Sequence, residues 1–220
     1  LDYKDIDLVV CGAWSNPDLQ VIKDYLAATG SLHLDRLSKR LYHSLISDKP
    51  YREELLKEVS LLFPDTELKF FDHHLSHAAG AFYSTGLDKA HVLTMDGRGD
   101  LQSAVVWRAN NENGLQRLRS FSEVKSLGAF YGQITGLLGF QPDRHEGKIT
   151  GLAAYGRATP LIEEFFSLIN FVDGDIVVGR DFVPFVKPSA ETALKKFCEK
   201  HSREDVAYAA QEVLESIVIK

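Results

Sequence analysis

The chain has few cysteines and no long apolar run, and each of these features argues against one class of protein. Its 220 residues include only two cysteines, Cys11 and Cys198, which lie far apart in the sequence. They do not resemble a disulfide framework, so we expect a reducing, cytoplasmic setting in which both pack as small apolar residues. The sequence has no stretch of about 18 apolar residues, which argues against a transmembrane helix. Its acidic first residues also lack the basic-then-apolar pattern of a signal peptide.

Positive charge is scarce as well. Lys and Arg total 25 against 31 Asp and Glu, which gives a net charge of −6 and a pI near 5.8. Non-specific nucleic-acid binding needs a basic face, so this composition argues against a nucleic-acid partner. No internal repeat or low-complexity stretch appears. With 45% hydrophobic and 10% aromatic residues, the chain can bury the core of one large domain or two small ones.

Histidine is concentrated in one place. Residues 72–80 read Asp-His-His-Leu-Ser-His-Ala-Ala-Gly and hold three of the eight histidines. On a helix, His73 and His77 stack on one face, one turn apart, which is how a helix presents two nitrogens to one metal ion. The ordinary alternative is a pair of surface or core histidines. The small residues at 78–81 favour a closely packed helix over a solvated histidine face.

A carboxylate follows at the end of the next apolar strand. Residues 92–100 read Val-Leu-Thr-Met-Asp-Gly-Arg-Gly-Asp, which places Asp96 directly after a strand predicted over 91–95. Two histidines and this carboxylate would form a metal site with open positions. The glycines at 97 and 99 predict a turn into the next strand and allow close approach of a ligand, although an ordinary hairpin also needs glycines.

Two glycine-rich helices are predicted further along the chain. The first, over residues 126–139, begins near Gly128, where backbone N–H groups are available to an anion. The second, over residues 146–156, carries Lys148 at its head, where its charge suits a phosphate. Close packing of the glycines and an exposed lysine are the ordinary alternatives.

The other elements follow from hydrophobic periodicity and turn residues. Together they mix α/β crossovers with an antiparallel portion, which predicts an α/β protein. Asp72 is expected to cap the helix that begins at His73 and runs to about Ser84. The remaining predictions are a buried strand over 6–11, strands over 68–71, 102–107 and 115–121, a hairpin over 171–178, helices over 19–28, 32–44, 51–63, 161–169 and 191–200, and a structural amphipathic helix over 205–218.

Four motifs in this order resemble one family. They are Phe-Asp-His-His-Leu-Ser-His-Ala-Ala-Gly-Ala-Phe-Tyr-Ser-Thr-Gly (71–86), the segment 92–100, Ser-Leu-Gly-Ala-Phe-Tyr (126–131) and Glu-Gly-Lys-Ile-Thr-Gly-Leu-Ala-Ala-Tyr-Gly (146–156). The chain resembles, over about residues 5–218, the O-carbamoyltransferases of the nodulation-protein type, which include the tobramycin and cephamycin carbamoyltransferases.

The resemblance implies an actin-like, sugar-kinase-like ATPase fold with a ribonuclease-H-like core of mixed sheet and flanking helices. The nucleotide would lie between two lobes. The implied reaction uses carbamoyl phosphate and ATP to form carbamoyl-adenylate, then transfers the carbamoyl group to a hydroxyl of a small-molecule acceptor, a sugar or natural product, with release of AMP. We expect no nucleic-acid or membrane partner, and a homodimer is left open.

The resemblance also assigns roles to individual residues. It matches His73, His77 and Asp96 to metal ligands, a set that favours Fe(II), with zinc or manganese as alternatives. His74 is the third histidine of the cluster and is not matched to a metal ligand. Its i, i+3 relation to His77 leaves it open as a ligand. As the candidate catalytic residue it would orient the acceptor hydroxyl, but the favoured interpretation is that it helps to shape the pocket. The candidate nucleotide- or phosphate-binding residues are Gly97, Gly99, Gly128 and Lys148.

We expect residues 1–220 to be a partial N-terminal carbamoyltransferase domain, with most of the first lobe and the start of the second. A further metal ligand and a C-terminal domain are expected beyond Lys220, and this piece alone is expected to be inactive. Two alternatives share the fold: a tRNA threonylcarbamoyl transferase and a hydrogenase-maturation carbamoyltransferase. The hairpin after Asp96 disfavours both, and the acidic charge also disfavours a tRNA substrate. A third alternative is a non-catalytic fragment that binds metal or nucleotide.

Overall fold

The computed structural model describes residues 5–15, 19–29, 38, 42, 46, 49–179, 181, 182, 184 and 192–220. The chain divides into two compact units, Leu1–Met95 with Gly99–Ser120, and Asp96–Arg98 with Phe121–Lys220. Strands in three sheets alternate with flanking helices, so the predicted α/β class is confirmed. Across the described parts of the chain, no helix is both long and apolar enough to cross a membrane.

The first unit begins with a parallel pair of strands. Strand β1 (Leu8–Cys11) pairs with β2 (Glu67–Phe70), and helices α1 (Leu19–Thr29) and α2 (Lys49–Leu62) lie between them in the chain. Parallel neighbours require a crossover connection, so the predicted crossover is confirmed. The helix predicted over residues 32–44 lies almost wholly outside the described residues.

The prediction that the first strand is buried is wrong. Leu8 is 44% exposed and Val10 is 60% exposed, and they alternate with half-buried neighbours. This alternation is typical of a strand that is covered on one face only. A short apolar, β-branched run indicates a strand, but its composition does not reveal how many of its faces are covered.

A three-stranded antiparallel sheet, apart from Asp96–Arg98 and the last two residues of its third strand, forms the rest of the first unit. Strands β3 (Lys89–Gly99), β4 (Gln102–Asn110) and β5 (Gly114–Ser122) lie in that order, as the meander prediction requires. Helix α3 (His73–Tyr83) packs on β4. Its Ala78 is buried against Val105 and Trp107 of that strand. The small residues that follow the histidines therefore serve close packing of the helix on the sheet.

The turn between β3 and β4 lies later than the sequence predicts. Strand β3 continues to Gly99, and the turn consists of Asp100 and Leu101, whose φ angles are 48° and 68°. Two left-handed residues suit the twist of a two-residue hairpin, and aspartate tolerates this conformation better than most residues. Gly97 and Gly99 do not have positive φ angles, so the turn does not explain them.

The second unit is built around its last helix. Helices α4 (Leu127–Leu137), α5 (Glu146–Ala153) and α6 (Leu161–Leu168) each pack against α8 (Arg203–Ile219). Four of the residues that α8 buries follow one another three or four positions apart, which confirms its predicted structural role. They are Val206, Ala210, Val213 and Ile217.

Smaller elements complete the second unit. Strands β6 (Ile169–Val172) and β7 (Asp175–Val178) form the predicted hairpin, and a short 3-10 helix covers Glu123–Lys125. Helix α7 (Ala193–Cys198) packs against α6. Burial raises the pKa of Cys198 to about 12, so its thiol stays protonated and unreactive at neutral pH.

Candidate metal centre

Helix α3 begins at His73 because Asp72 caps it. The Asp72 backbone is non-helical (φ −52°, ψ 136°), and its Oδ1 accepts a hydrogen bond from the Leu75 N–H at 2.8 Å. Its Oδ2 accepts from Gln102 Nε2 at 2.8 Å and from Arg117 Nη2 at 3.0 Å. The predicted cap is confirmed, and strands β4 and β5 hold its carboxylate. The first turn of α3, which carries the histidines, is thereby fixed to the sheet.

The imidazoles of His73 and His77 converge. Their Nε2 atoms are 3.1 Å apart and their ring centroids are 4.6 Å apart. A linear N–H···N bond at this length would put the centroids about 5.3 Å apart, because a ring with bonds of about 1.33 Å has a radius of about 1.1 Å. The shorter observed distance excludes a linear hydrogen bond between the two rings and agrees with two nitrogens that share one ion.

That arrangement fits a shared metal ion. Two nitrogens held about 2.1 Å from one ion, roughly at right angles, lie about 3.0 Å from each other. Asp96, the carboxylate ligand that the resemblance assigns, lies on β3 in the segment Asp96–Arg98, and its part in the site stays a prediction. Two imidazole nitrogens and one carboxylate suit a borderline divalent ion, so these residues fit the predicted metal.

His74 lies in the interior of the first unit. It is fully buried, and its Nδ1 is 3.1 Å from Thr94 Oγ1. The same hydroxyl accepts from Trp107 Nε1 at 3.2 Å and lies 3.3 Å from the Val105 carbonyl oxygen. Because the hydroxyl has one proton and that carbonyl can only accept, the network favours His74 with its proton on Nδ1. The catalytic role of His74 stays a prediction.

Two of the three candidate phosphate-binding glycines are explained by close contacts within each unit. A Cβ on Gly99 would overlap the His73 ring, and a Cβ on Gly128 would lie 2.8 Å from Gly97 Cα. Ser126 caps α4, accepting from the Ala129 N–H at 2.9 Å and donating to the Gly97 carbonyl oxygen at 2.6 Å. The start of α4 is thus held against Gly97, which belongs to the same unit. The phosphate-binding role of all three glycines stays a prediction.

Lys148 lies on the surface of the second unit. Its side chain is exposed, and its Nζ lies 5.6 Å from the Phe140 ring centroid. The Arg203 guanidinium lies 5.1 Å from the same centroid. Two cations beside one ring provide positive charge that an anion would favour. The assignment of Lys148 to phosphate also stays a prediction.

The sequence gives little sign of the residues that support the histidines. Gln102 and Arg117 reach Asp72 from 30 and 45 positions away, a distance at which local spacing carries no information. Asp100 accepts from the His73 N–H at 3.0 Å. It stands in the quoted motif, but the motif predicts only a turn. Its acceptor role depends on tertiary structure.

Comparison with known proteins gives a match over the whole chain. A family model described as "Carbamoyltransferase N-terminus" matches residues 1–220. The nodulation protein NolNO of Sinorhizobium fredii is 32% identical over 168 residues, which cover 74% of this chain and 24% of that protein. The nodulation protein NolO of Bradyrhizobium diazoefficiens is 32% identical over 151 residues, covering 67% of this chain and 27% of that protein.

Similarity extends to an archaeal protein. The uncharacterized protein MJ1051 of Methanocaldococcus jannaschii is 31% identical over 158 residues, covering 69% of this chain and 30% of that protein. In each of these three comparisons the chain spans less than a third of the relative's length.

Proposed function

The chain belongs to the carbamoyltransferase N-terminus family, as its motifs predicted, and from this premise we propose that it forms part of a metal-dependent O-carbamoyltransferase with an actin-like fold. The proposed enzyme uses carbamoyl phosphate and ATP to make carbamoyl-adenylate, with release of phosphate and pyrophosphate. It then transfers the carbamoyl group to a hydroxyl of a small-molecule acceptor and releases AMP. The alternatives within the same fold have no observation in their favour.

The observation that carries the metal requirement is the 3.1 Å approach of the Nε2 atoms of His73 and His77 on one helix face. Asp96 is the proposed carboxylate ligand. These three residues would hold a divalent ion, Fe(II) by preference. When bound, the ion supplies a Lewis acid that neutralises phosphate charge and polarises the acyl group. Carbamoyl transfer needs both effects, because carbamoyl phosphate and ATP each bring negative charge to the reacting centre.

The other residues of the centre bind and orient. Asp72 fixes the start of α3, and buried His74 ties the same turn to β3 through Thr94. We assign His74 to shaping this pocket, because it is fully buried and cannot contact an acceptor that enters from solvent. Lys148 and the start of α4 at Gly128 are the proposed phosphate contacts, through a point charge and backbone N–H groups.

The test measures AMP release from ATP by the intact protein, together with its bound metal. We expect AMP release only when carbamoyl phosphate and a hydroxyl acceptor are present. His73→Ala and His77→Ala should each lose metal and AMP release, since each removes one of two converging nitrogens. His91→Ala, on the exposed face of β3, is the matched control and should keep both.

Two results would count against the proposal. AMP release that is independent of carbamoyl phosphate would exclude the transferase reaction. Unchanged metal content in both His73→Ala and His77→Ala would exclude the ligand assignment.

A further inference from the structure

The carboxylate of Asp100 holds the main chain of His73. Asp100 Oδ2 accepts from the His73 N–H at 3.0 Å. This N–H is one of the first four of α3, which have no acceptor within the helix itself. Asp72 serves Leu75 instead. Asp100 therefore completes the cap of α3 from outside the helix, at the residue that presents a converging nitrogen.

The residue before Asp100 holds the His73 ring. The ring lies so close to Gly99 that a Cβ there would overlap its Cγ and Cδ2 atoms. The main chain and the imidazole of His73 are thus fixed by two consecutive residues. The φ of 48° at Asp100 belongs to the turn that brings both of them against the helix.

The segment after β1 orients the Asp100 carboxylate. Ser15 Oγ donates to the same Oδ2 atom at 2.8 Å. The segment also lies against α3, where a Cβ on Gly12 would be 2.7 Å from Ser76 Oγ. A carboxylate that accepts two donors on one oxygen has a defined position, so the bond to His73 is directional as well as electrostatic.

We propose that Asp100 is a positioning residue of the metal centre, which acts on the metal through the backbone of His73 and takes its own orientation from Ser15. The inference rests on the proposed function, because it assumes that His73 ligates a metal. Replacing a residue that hydrogen-bonds to a metal ligand and orients it commonly lowers the metal affinity about 10- to 100-fold.

Two substitutions separate the carboxylate from the turn. Asp100→Gly keeps the left-handed backbone but removes the acceptor, so we expect metal affinity to fall about 10- to 100-fold. Asp100→Asn keeps an acceptor oxygen and also tolerates the left-handed conformation, so it should stay within about threefold of the wild type. The matched control is Asp88→Asn, which alters an aspartate at the opposite end of the same hairpin, hydrogen-bonded to Asn111.

The measurement is a titration of the intact, metal-free protein with Co²⁺, followed by the absorption bands of the bound ion. Thermal unfolding of the metal-free proteins is measured alongside. The proposal expects weaker binding in Asp100→Gly, with rescue in Asp100→Asn and no change in Asp88→Asn. Wild-type affinity in Asp100→Gly would overturn it, even if that variant unfolds at a lower temperature.

A separate outcome reports on the proposed function. Wild-type protein that binds no Co²⁺ would overturn both the metal centre and the inference built on it. Wild-type binding that depends on His73 and His77 but not on Asp100 would overturn the inference alone.

Discussion

Gly97 and Gly99 lie two residues apart on one strand, yet they meet different surroundings. A Cβ on Gly99 would overlap the His73 ring, whereas a Cβ on Gly97 would have no heavy atom within 4 Å. Neither has a positive φ. Gly99 is therefore required because the His73 side chain leaves no room for a Cβ. At Gly97 the structure shows no such restriction.

Gly99→Ala should displace the His73 imidazole. Inserting a methyl group into a filled space costs about 1–3 kcal/mol, so we expect the free energy of unfolding to fall by that amount and Co²⁺ binding to weaken. Urea unfolding and the Co²⁺ titration measure the two effects. Gly97→Ala is the control and should change neither of them.

If Gly97→Ala instead left stability intact but weakened ATP binding, the phosphate-binding role predicted for Gly97 would gain direct support. Equal effects of the two alanines on metal binding would contradict the contact with His73 as the cause.

Local spacing accounts for what the sequence predicts at the centre. His73 and His77 are four residues apart on one helix, and helical geometry alone brings them to one face. Asp96 could be placed from its position after an apolar strand. Arg117 and Gln102 could not, because their contacts with Asp72 depend on the pairing of distant strands.

At the scale of elements, helix α4 depends on its cap. Ser126 is fully buried, and its hydroxyl bonds both the Ala129 N–H and the Gly97 carbonyl oxygen. The helix itself was predicted over 126–139 and is observed as Leu127–Leu137. Its cap follows a recognised sequence preference for serine at this position. No sequence preference predicts the hydrogen bond from Ser126 to the Gly97 carbonyl oxygen.

Ser126→Ala should destabilise the second unit. Loss of an N-cap costs about 0.5–2 kcal/mol, and the half-buried carbonyl of Gly97 would lose a donor as well, so we expect the upper half of that range. Urea unfolding measures the change. The control is Ser84→Ala, which removes an exposed hydroxyl bonded to the Ala81 carbonyl and should cost less than 0.5 kcal/mol. Equal losses in the two variants would contradict the assigned role of Ser126.

The turn between β3 and β4 differs from the sequence prediction for a physical reason. The sequence places the hairpin turn at the glycines, because glycine is the usual residue for tight turns. The structure places it at Asp100 and Leu101, both with positive φ. Gly99 is instead needed because the His73 ring lies against it, whereas at Gly97 it is the neighbouring Gly128 that has no room for a Cβ. Sequence patterns do not distinguish these two uses.

At the scale of the whole molecule, a polar network joins three helices of the second unit. The Tyr131 hydroxyl on α4 donates to Gln211 Oε1 on α8 at 2.8 Å and lies 3.1 Å from Thr150 Oγ1 on α5. Gln211 Nε2 in turn donates to Glu215 Oε1 at 2.7 Å. Burial, and to a lesser degree Glu215 and Glu146, raises the pKa of the Tyr131 phenol above its usual 10.0.

This raised pKa makes stability depend on pH in alkaline solution. A raised pKa in the folded state means that the stabilising effect is complete below pH 10.0, the usual pKa of a tyrosine phenol, and is lost as the pH rises further. We expect the free energy of unfolding to fall above that pH. Tyr131→Phe should be less stable at pH 8 but show a shallower fall, as measured by urea unfolding between pH 8 and about 11.

The control for this pH dependence is Tyr155→Phe, since Tyr155 is 82% exposed. It should keep the wild-type slope. A slope in Tyr131→Phe identical to that of the wild type would assign the alkaline instability to other groups.

The family and the α/β class were predictable because motif order and hydrophobic periodicity are properties of the linear sequence. The division into units was not. The short segment Asp96–Arg98 belongs with residues far beyond it rather than with the rest of its own strand. The segment belongs to the second unit because Gly128 and Ser126 pack against it. Its own composition gives no sign of this.

The positions of the centre along the chain also have a consequence for folding kinetics. His73, His77, Asp96 and Asp100 span 28 residues, so assembly of these groups requires closure of only short loops. Pairing of β1 with β2 closes a longer loop, from Cys11 to Glu67. Short loops close at lower entropic cost and earlier in folding. The metal-binding groups can therefore come together in a nascent chain before the helices around α8 have been synthesised.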